Sequence, residues 1–400
     1  VTAQQIEKTK RGRFEAFISS VEYAGNKLPH PFWLFVSLCG IVLLLAFILA
    51  QFGVSVEYVS ASREAGQGTE RATVAVQNLL DKDGIRYLFA RLTDIYGSFA
   101  PLSLVMIMML GVGFLERTGM LSALIRKTIL GVKPSWLVAV IALVGVNGNL
   151  ASDAGVIIVP TVAGAVFKSM GKNPWIGIIA GYVAVNGGFS ANVFIAGTDV
   201  LLAGITESVT TGLGMDVPVH PMMNWYFMCA STVVVVGGTV LVTELFTKKR
   251  LGEELPPSLA EDTDTSGKGT EEHGCTPIET KGLKFCALAA VVYVAIVCLA
   301  LIPSGSVFRA DDGSLLPRSP LLDSIVTLLL ILFFVLGMTY GKVTGSIKTM
   351  KDVPRMMSNG LEGALGFMVI ALPASVFIDL FDRSNISLVF GVHMGNLLSG

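Results

Sequence analysis

Charge is scarce in this chain. Asp, Glu, Lys and Arg make up 15% of its 400 residues, against about 25% in an ordinary soluble domain. With 52% hydrophobic residues, too little polar surface remains to cover a water-soluble body, and a bilayer is the expected solvent. No basic stripe interleaved with aromatics occurs, and the net charge is −1, so a nucleic-acid partner is excluded. Cysteine spacing of the disulfide or metal-ligand kind is also missing. Cys39, Cys229, Cys275, Cys286 and Cys298 are scattered and read as packed thiols. His30, His220, His273 and His393 form no ligand spacing, and edge or solvent roles are expected for them. The first apolar run starts near Pro31, after a polar start containing Lys8, Lys10, Arg11, Arg13 and Lys27. At roughly 20 residues it exceeds a signal-peptide core, so it is expected to stay as a membrane span.

What the chain has in quantity is long apolar runs. A helix needs roughly 20 such residues to cross the hydrocarbon core. Runs of that kind lie at about 31–53, 97–115, 174–205, 222–246, 283–303, 321–341 and 361–380, with another starting near 386. Trp33, Trp225 and Tyr226 stand at run ends, where aromatics favour the membrane interface. Basic clusters occur at the start, from Arg117 to Lys133, at Lys168 with Lys172, at Lys248-Lys249-Arg250 and from Lys342 to Arg355, whereas 206–221 has no Lys or Arg. Placing those clusters in the cytoplasm divides the chain as follows. Residues 1–30 form a cytoplasmic segment, 31–134 the first spans with a periplasmic loop at 54–96, and 135–170 a re-entrant hairpin. A broken helix and the next span follow at 171–246, a flexible acidic cytoplasmic linker at 247–282, and the second-half spans at 283–400. The expected class is an all-α polytopic membrane protein with discontinuous helices, of the inverted-repeat secondary-transporter type.

The hairpin follows from charge. Lys133 and Lys168 both belong inside, so 135–170 must leave and return on one side. Its apolar arms, about 136–146 and 155–167, are too short to span. Between them lies the polar tip Asn147-Gly148-Asn149-Leu150-Ala151-Ser152-Asp153-Ala154-Gly155. An ionised Asp at membrane depth costs about 2.5–3.5 kcal/mol, and irregular backbone there persists only against protein or a cavity. Asp153 is therefore the leading site residue. Asn147, Asn149, Ser152 and Asn186 can add oxygens, with Na⁺ at Asn149 and Asp153 as the candidate ion site and H⁺ carried by the carboxylate as the other option. The second arm begins at Ser152-Asp153, and its helix N-terminus suits an anionic substrate. The plainer alternative is that Asp153 only caps that arm.

Two further breaks interrupt apolar runs. Asn186-Gly187-Gly188-Phe189-Ser190-Ala191-Asn192 reads as the gap of a discontinuous helix, nominating Gly188, Ser190 and Asn192 for substrate binding. A kink or close packing of small residues is the alternative. Asp199, just beyond, is expected at a solvated rim. Asp379-Leu380-Phe381-Asp382-Arg383-Ser384-Asn385 nominates Asp382, Arg383, Ser384 and Asn385, with Asp382 and Arg383 able to neutralise each other or bind a ligand. Ser190 with Asn192 and Ser384 with Asn385 hint at an internal repeat.

The runs Asn149-Leu150-Ala151-Ser152-Asp153-Ala154-Gly155, Gly187-Gly188-Phe189-Ser190-Ala191-Asn192 and Leu201-Leu202-Ala203-Gly204-Ile205-Thr206 resemble the p-aminobenzoyl-glutamate transporter (AbgT) family. The similarity extends from the first span to the chain end. It implies homodimeric inner-membrane transporters in lipid, each protomer with nine spans and two re-entrant hairpins. By that resemblance, such proteins import p-aminobenzoyl-glutamate or export sulfonamide antimetabolites on an ion gradient, without an organic cofactor. Asp153 matches the functional aspartate of the family's first hairpin. Residues Phe381 to Asn385 match a family Phe-Asn-Trp-Ser-Asn segment, with Asp382-Arg383 in place of Asn-Trp. The chain stops at Gly400 inside an apolar element, and a fragment of a longer protein is expected.

Other classes predict different things. A channel or regulatory membrane subunit would conduct or bind without gradient dependence. An intramembrane aspartyl hydrolase would need Asp153 and Asp382 close enough to share a proton.

Overall fold

The computed structural model describes residues 27, 29–60, 70–212, 215, 217–256, 274–303, 305–316 and 318–399; within that range the side chains of 58–60, 70–72, 149, 151–154, 212 and 395–399 also lie outside the described residues. Lipid offers no partner for free peptide groups, so an apolar chain closes its hydrogen bonds within helices. In chain order the elements are α1 (Pro31–Gln51), β1 (Ser55–Ser60), β2 (Glu70–Ala75), α2 (Lys82–Gly97), α3 (Ala100–Arg117), α4 (Met120–Leu130), α5 (Leu137–Asn147) and α6 (Ser152–Ser169). They continue with α7 (Pro174–Gly187), α8 (Gly197–Gly212), α9 (Trp225–Val242), α10 (Lys248–Leu251), α11 (Pro277–Leu301), α12 (Pro320–Asp323), α13 (Ile325–Thr344), α14 (Asp352–Gly360), α15 (Glu362–Arg383) and α16 (Ile386–Ser399).

Among the described residues, six helical stretches are long and apolar enough to cross a bilayer: Pro31–Gln51, Lys82–Arg117, Trp225–Leu251, Pro277–Leu301, Ile325–Thr344 and Glu362–Arg383. The pair Met120–Leu130 and Pro134–Asn147, bent by 116°, makes a seventh if counted as one span. The apolar run expected at 174–205 is divided, with α7 ending at Gly187 and α8 starting at Gly197.

The chain folds as two compact units, one from Val1–Gly97 with Met368–Gly400 and the other from Ser98–Phe367. In the first, Val42 and Ala46 of α1 pack with Val56, Val76 and Leu79, and with Leu380, Ile386 and Val389. The segment 54–96, expected as a polar loop, holds an antiparallel strand pair in the register Ser55↔Ala75 to Ser60↔Glu70, followed by α2. The alternation Ser55-Val56-Glu57-Tyr58-Val59-Ser60 explains the strand, since every second residue can face a core. Among the described residues this strand pair is the one sheet, beside an isolated bridge between Lys172 and Glu254.

In the second unit α3 approaches α14 so closely that a Cβ at Gly113 or Gly360 would strike the other's backbone. The acidic linker expected at 247–282 is ordered at both ends. The helix carrying α9 passes through a π-helical turn, Thr243–Thr247, into α10. The chain then docks on the α6–α7 turn: Asn173 N–H donates to the Glu253 carbonyl at 3.0 Å and Leu255 N–H to the Gly171 carbonyl at 3.2 Å. Lys172 pairs with Glu253 at 2.7 Å, which holds that carboxyl below its ordinary value. α11 begins behind a capping box made by Thr276 and Glu279. Composition missed this docking because backbone atoms make most of it. Residues 257–273, the most acidic part of that linker, lie outside the described residues.

Candidate functional site

The chain reverses between α5 and α6. α5 packs beside α7 with their C-terminal ends together, Gly145 against Ala184 and Val146 against Gly188, while α6 returns antiparallel to α7, with Ala163 facing Gly177 and Pro160 facing Gly181. The tip is a 3-10 turn, Gly148–Ala151. It can close this tightly because the Gly155 backbone rests on the Gly148 carbonyl, leaving no room for a Cβ. α6 begins at Ser152, so its first N–H groups at the tip have no acceptor within the helix.

Asn149, Ser152 and Asp153 thus fall on the tip backbone, and their side chains lie outside the described residues. Asn147 binds backbone on both sides. Its Nδ2 donates to the Leu143 carbonyl at 2.9 Å and its Oδ1 accepts the Val193 N–H at 3.0 Å. One amide therefore fastens the hairpin tip to the break in the next helix.

That break, residues 188–196, is irregular backbone inside the fold, and its polar groups are held from several elements. Trp225 Nε1 donates to the Val193 carbonyl at 2.9 Å. The Thr232 hydroxyl, with one proton to give, lies within reach of the Ala191 and Met228 carbonyls. Asp199 accepts the Ala196 N–H at 2.7 Å and is buried. The expectation of a solvated Asp199 is corrected: it caps the start of α8. Gly188 is required where it stands, because a Cβ there would strike Val146. Ser190 adopts φ 65°, a left-handed turn uncommon outside glycine. Asn186 Nδ2 donates to the Tyr182 carbonyl at 2.9 Å.

A cavity of about 410 Å³ lies where these pieces meet, lined by Leu150 and Val156 from either side of the Asp153 position, and by Asn186, Phe189, Thr198 and Phe367. Two polar residues, one in the break and one in the first turn of α8, lack partners among the described residues. Asn192 is 1% exposed and neither its Oδ1 nor its Nδ2 has one, and the buried Thr198 Oγ1 is likewise unpaired. A buried polar group left so costs roughly 1–3 kcal/mol, the signature of a place kept for a ligand, ion or water. Thr198 was not singled out as a site residue. A hydroxyl after two small residues carries no sequence signal of its own.

The third break belongs to the other unit and is shorter than expected. α15 runs unbroken to Arg383, and only Ser384 and Asn385 interrupt it before α16. Asn385 sits at φ 59°. With Ser190, it is one of two non-glycine residues in the left-handed region among those described. Both residues of the turn bind the strand pair and its exit. Asn385 Nδ2 donates to the Ala75 carbonyl and Gln77 N–H donates to the Ser384 carbonyl, each at 3.0 Å. Of the two options open to Asp382 and Arg383, mutual pairing is not made among the described residues. Asp382 is exposed, and the Arg383 guanidinium lies over the Tyr87 ring, 3.6 Å from its centroid. The planar cation finds the aromatic face of a helix packed alongside. No cluster of three or more His, Cys, Asp or Glu suited to a metal occurs among the described residues.

Apolar spans, a reversing hairpin, and a helix broken beside a cavity together define a multi-pass membrane transporter of the discontinuous-helix kind. A sequence profile of the AbgT putative transporter family matches residues 16–400, and the chain belongs to that family. The p-aminobenzoyl-glutamate transport protein of Escherichia coli K12 is 30% identical over 381 residues, covering 94% of this chain and 71% of that protein. Among solved structures, the Alcanivorax borkumensis YdaH transporter superimposes with a TM-score of 0.78 at 29% identity, covering 93% of this chain and 74% of its own. Neisseria gonorrhoeae MtrF, from a class of antimetabolite efflux pumps, reaches 0.82 at 31%, covering 92% and 72%. These relatives are transporters, not enzymes, and the hydrolase alternative is set aside.

Proposed function

We propose that this chain performs ion-gradient-driven transport of a small organic anion, taking up p-aminobenzoyl-glutamate or expelling sulfonamide-type antimetabolites. It does so in the bacterial inner membrane, as a lipid-embedded homodimer with its N-terminus in the cytoplasm. The observation that carries the reading is the convergence of the hairpin tip and the 188–196 break on one cavity, lined by the unsatisfied Thr198, with Asn192 of the same break also lacking partners among the described residues. The names of its relatives support the substrate class. In this reading 135–170 is re-entrant, and Asp153 carries the coupling ion, Na⁺ or H⁺. Asn149 adds an oxygen, with Asn147 and Asn186 at the margin. Ser152, Gly188, Ser190 and Asn192 are the candidate substrate-binding residues of the second unit, and Asp382, Arg383, Ser384 and Asn385 are those of the first. The α6 N-terminus favours an anionic group.

The test is uptake and efflux of labelled p-aminobenzoyl-glutamate and a sulfonamide in proteoliposomes, under separately imposed Na⁺ and pH gradients. Saturable flux that collapses with one gradient is expected. Flux indifferent to both gradients would mark a channel instead. Asp153→Ala should lower coupled flux by about a hundredfold, the scale of losing a charged contact worth about 3 kcal/mol, with membrane insertion unchanged. Wild-type flux in that variant refutes the assigned role.

A further inference from the structure

A second carboxylate stands out in the first unit. Asp379 and Arg383 lie one turn apart on α15, and both address Tyr87 of α2. The Tyr87 hydroxyl donates to Asp379 Oδ1 at 3.0 Å, while the Arg383 guanidinium covers the ring at 3.6 Å. Asp379 Oδ2 is buried and has no hydrogen-bond partner among the described residues. Its charged and titratable neighbours are Tyr87 and Arg91 from α2, and Asp382 and Arg383 from its own helix. Arg91 pairs instead with Asp94 at 3.2 Å. No ion pair within 4.0 Å reaches Asp379 among the described residues.

Residues four apart on a helix are the natural places for an Arg and a carboxylate to pair. Here the guanidinium has left that partner for an aromatic face. One carboxylate oxygen is tied down, the other is open, and the arginine one turn along is turned aside onto Tyr87. A carboxyl in a membrane-spanning helix with that geometry can take either of two partners, a proton or the arginine.

We propose that Asp379 is a proton-binding site that governs Arg383. Oδ2 accepts a proton from hydronium, an O–H bond forms, and water is left. The now neutral carboxyl no longer attracts Arg383, which stays on Tyr87 and is free for an anionic ligand. Loss of the proton to water restores the carboxylate and draws Arg383 back to it. The proton site stands on geometry alone; only its effect on anion binding rests on the transport reading above.

The experiment has two arms. In the purified protein, the infrared difference spectrum between acid and neutral pH should contain a carboxylic-acid C=O band that Asp379→Asn removes and Asp379→Glu shifts. If Asp379→Asn leaves the spectrum unchanged, the proposal is overturned, whatever the protein transports. In proteoliposomes, labelled p-aminobenzoyl-glutamate uptake should vary with pH by up to about tenfold per unit on the titrating limb in wild type, and flatten to under about twofold in Asp379→Asn. Asparagine still accepts the Tyr87 hydroxyl, so if Tyr87, Asp379 and Arg383 merely lock two helices together, the variant keeps the wild-type profile. Absence of uptake by wild type would count against the transport reading and leave the infrared arm to decide the proton site.

Discussion

Asn192 shows how burial and satisfaction part company. Its side chain is almost fully enclosed, yet both amide atoms lack partners, whereas Asn147 and Asn186, no less polar, satisfy themselves on backbone carbonyls. An amide that is merely structural would be improved by an apolar group of similar shape, because the desolvation penalty vanishes. Asn192→Leu is therefore expected to fold with an equal or higher thermal midpoint while losing transport by at least about tenfold, the worth of one to two hydrogen bonds. Thermal unfolding and vesicle flux on the same preparation check it; a variant that unfolds early with normal flux would make Asn192 a packing residue.

At the level of elements, the hairpin depends on close backbone approach. Around the hairpin, Gly145, Gly155, Gly177 and Gly188 stand where a Cβ would strike a neighbouring residue, so the chain segments approach closely. Small residues at such interfaces replace a hydrophobic drive that lipid does not supply. Gly155→Ala places a Cβ on the Gly148 carbonyl and is expected to destabilise by about 1–3 kcal/mol, read as a fall in thermal midpoint and yield. Gly187→Ala, where a Cβ meets open space, is the control and should change little. The break after α7 is stable for a different reason. Asn147, Asp199, Trp225 and Thr232 each supply a side chain to its free peptide groups.

On the scale of the whole molecule, one ion pair outside the long apolar helices is pH-sensitive. The Lys172 ammonium at 2.7 Å, helped by Lys248 at 3.8 Å, lowers the Glu253 carboxyl from its ordinary value. A value lowered on folding means the stabilisation is complete above the ordinary glutamate range and is lost as pH falls through the lowered value. The pair is partly exposed and contributes at most about 1 kcal/mol. Wild type should accordingly exceed Glu253→Gln slightly in thermal midpoint at neutral pH, and the two should converge on acidification. A gap that is constant from neutral to acid would show that the charge is irrelevant to the docking of 252–256 on the α6–α7 turn.

Sequence by itself determined the solvent, most of the long apolar helices and the places where polar residues interrupt them, because hydropathy and the exclusion of bare backbone from lipid act locally. Tertiary structure decided which polar residues are committed and which are open. Asp199 became a helix cap, Ser384 and Asn385 turned to the strand pair and its exit, Arg383 took the Tyr87 ring, and Asn192 and Thr198 have no partner among the described residues. Those outcomes hang on partners far away in the chain, and hydrogen-bond satisfaction is a property of neighbours in space that no local pattern encodes.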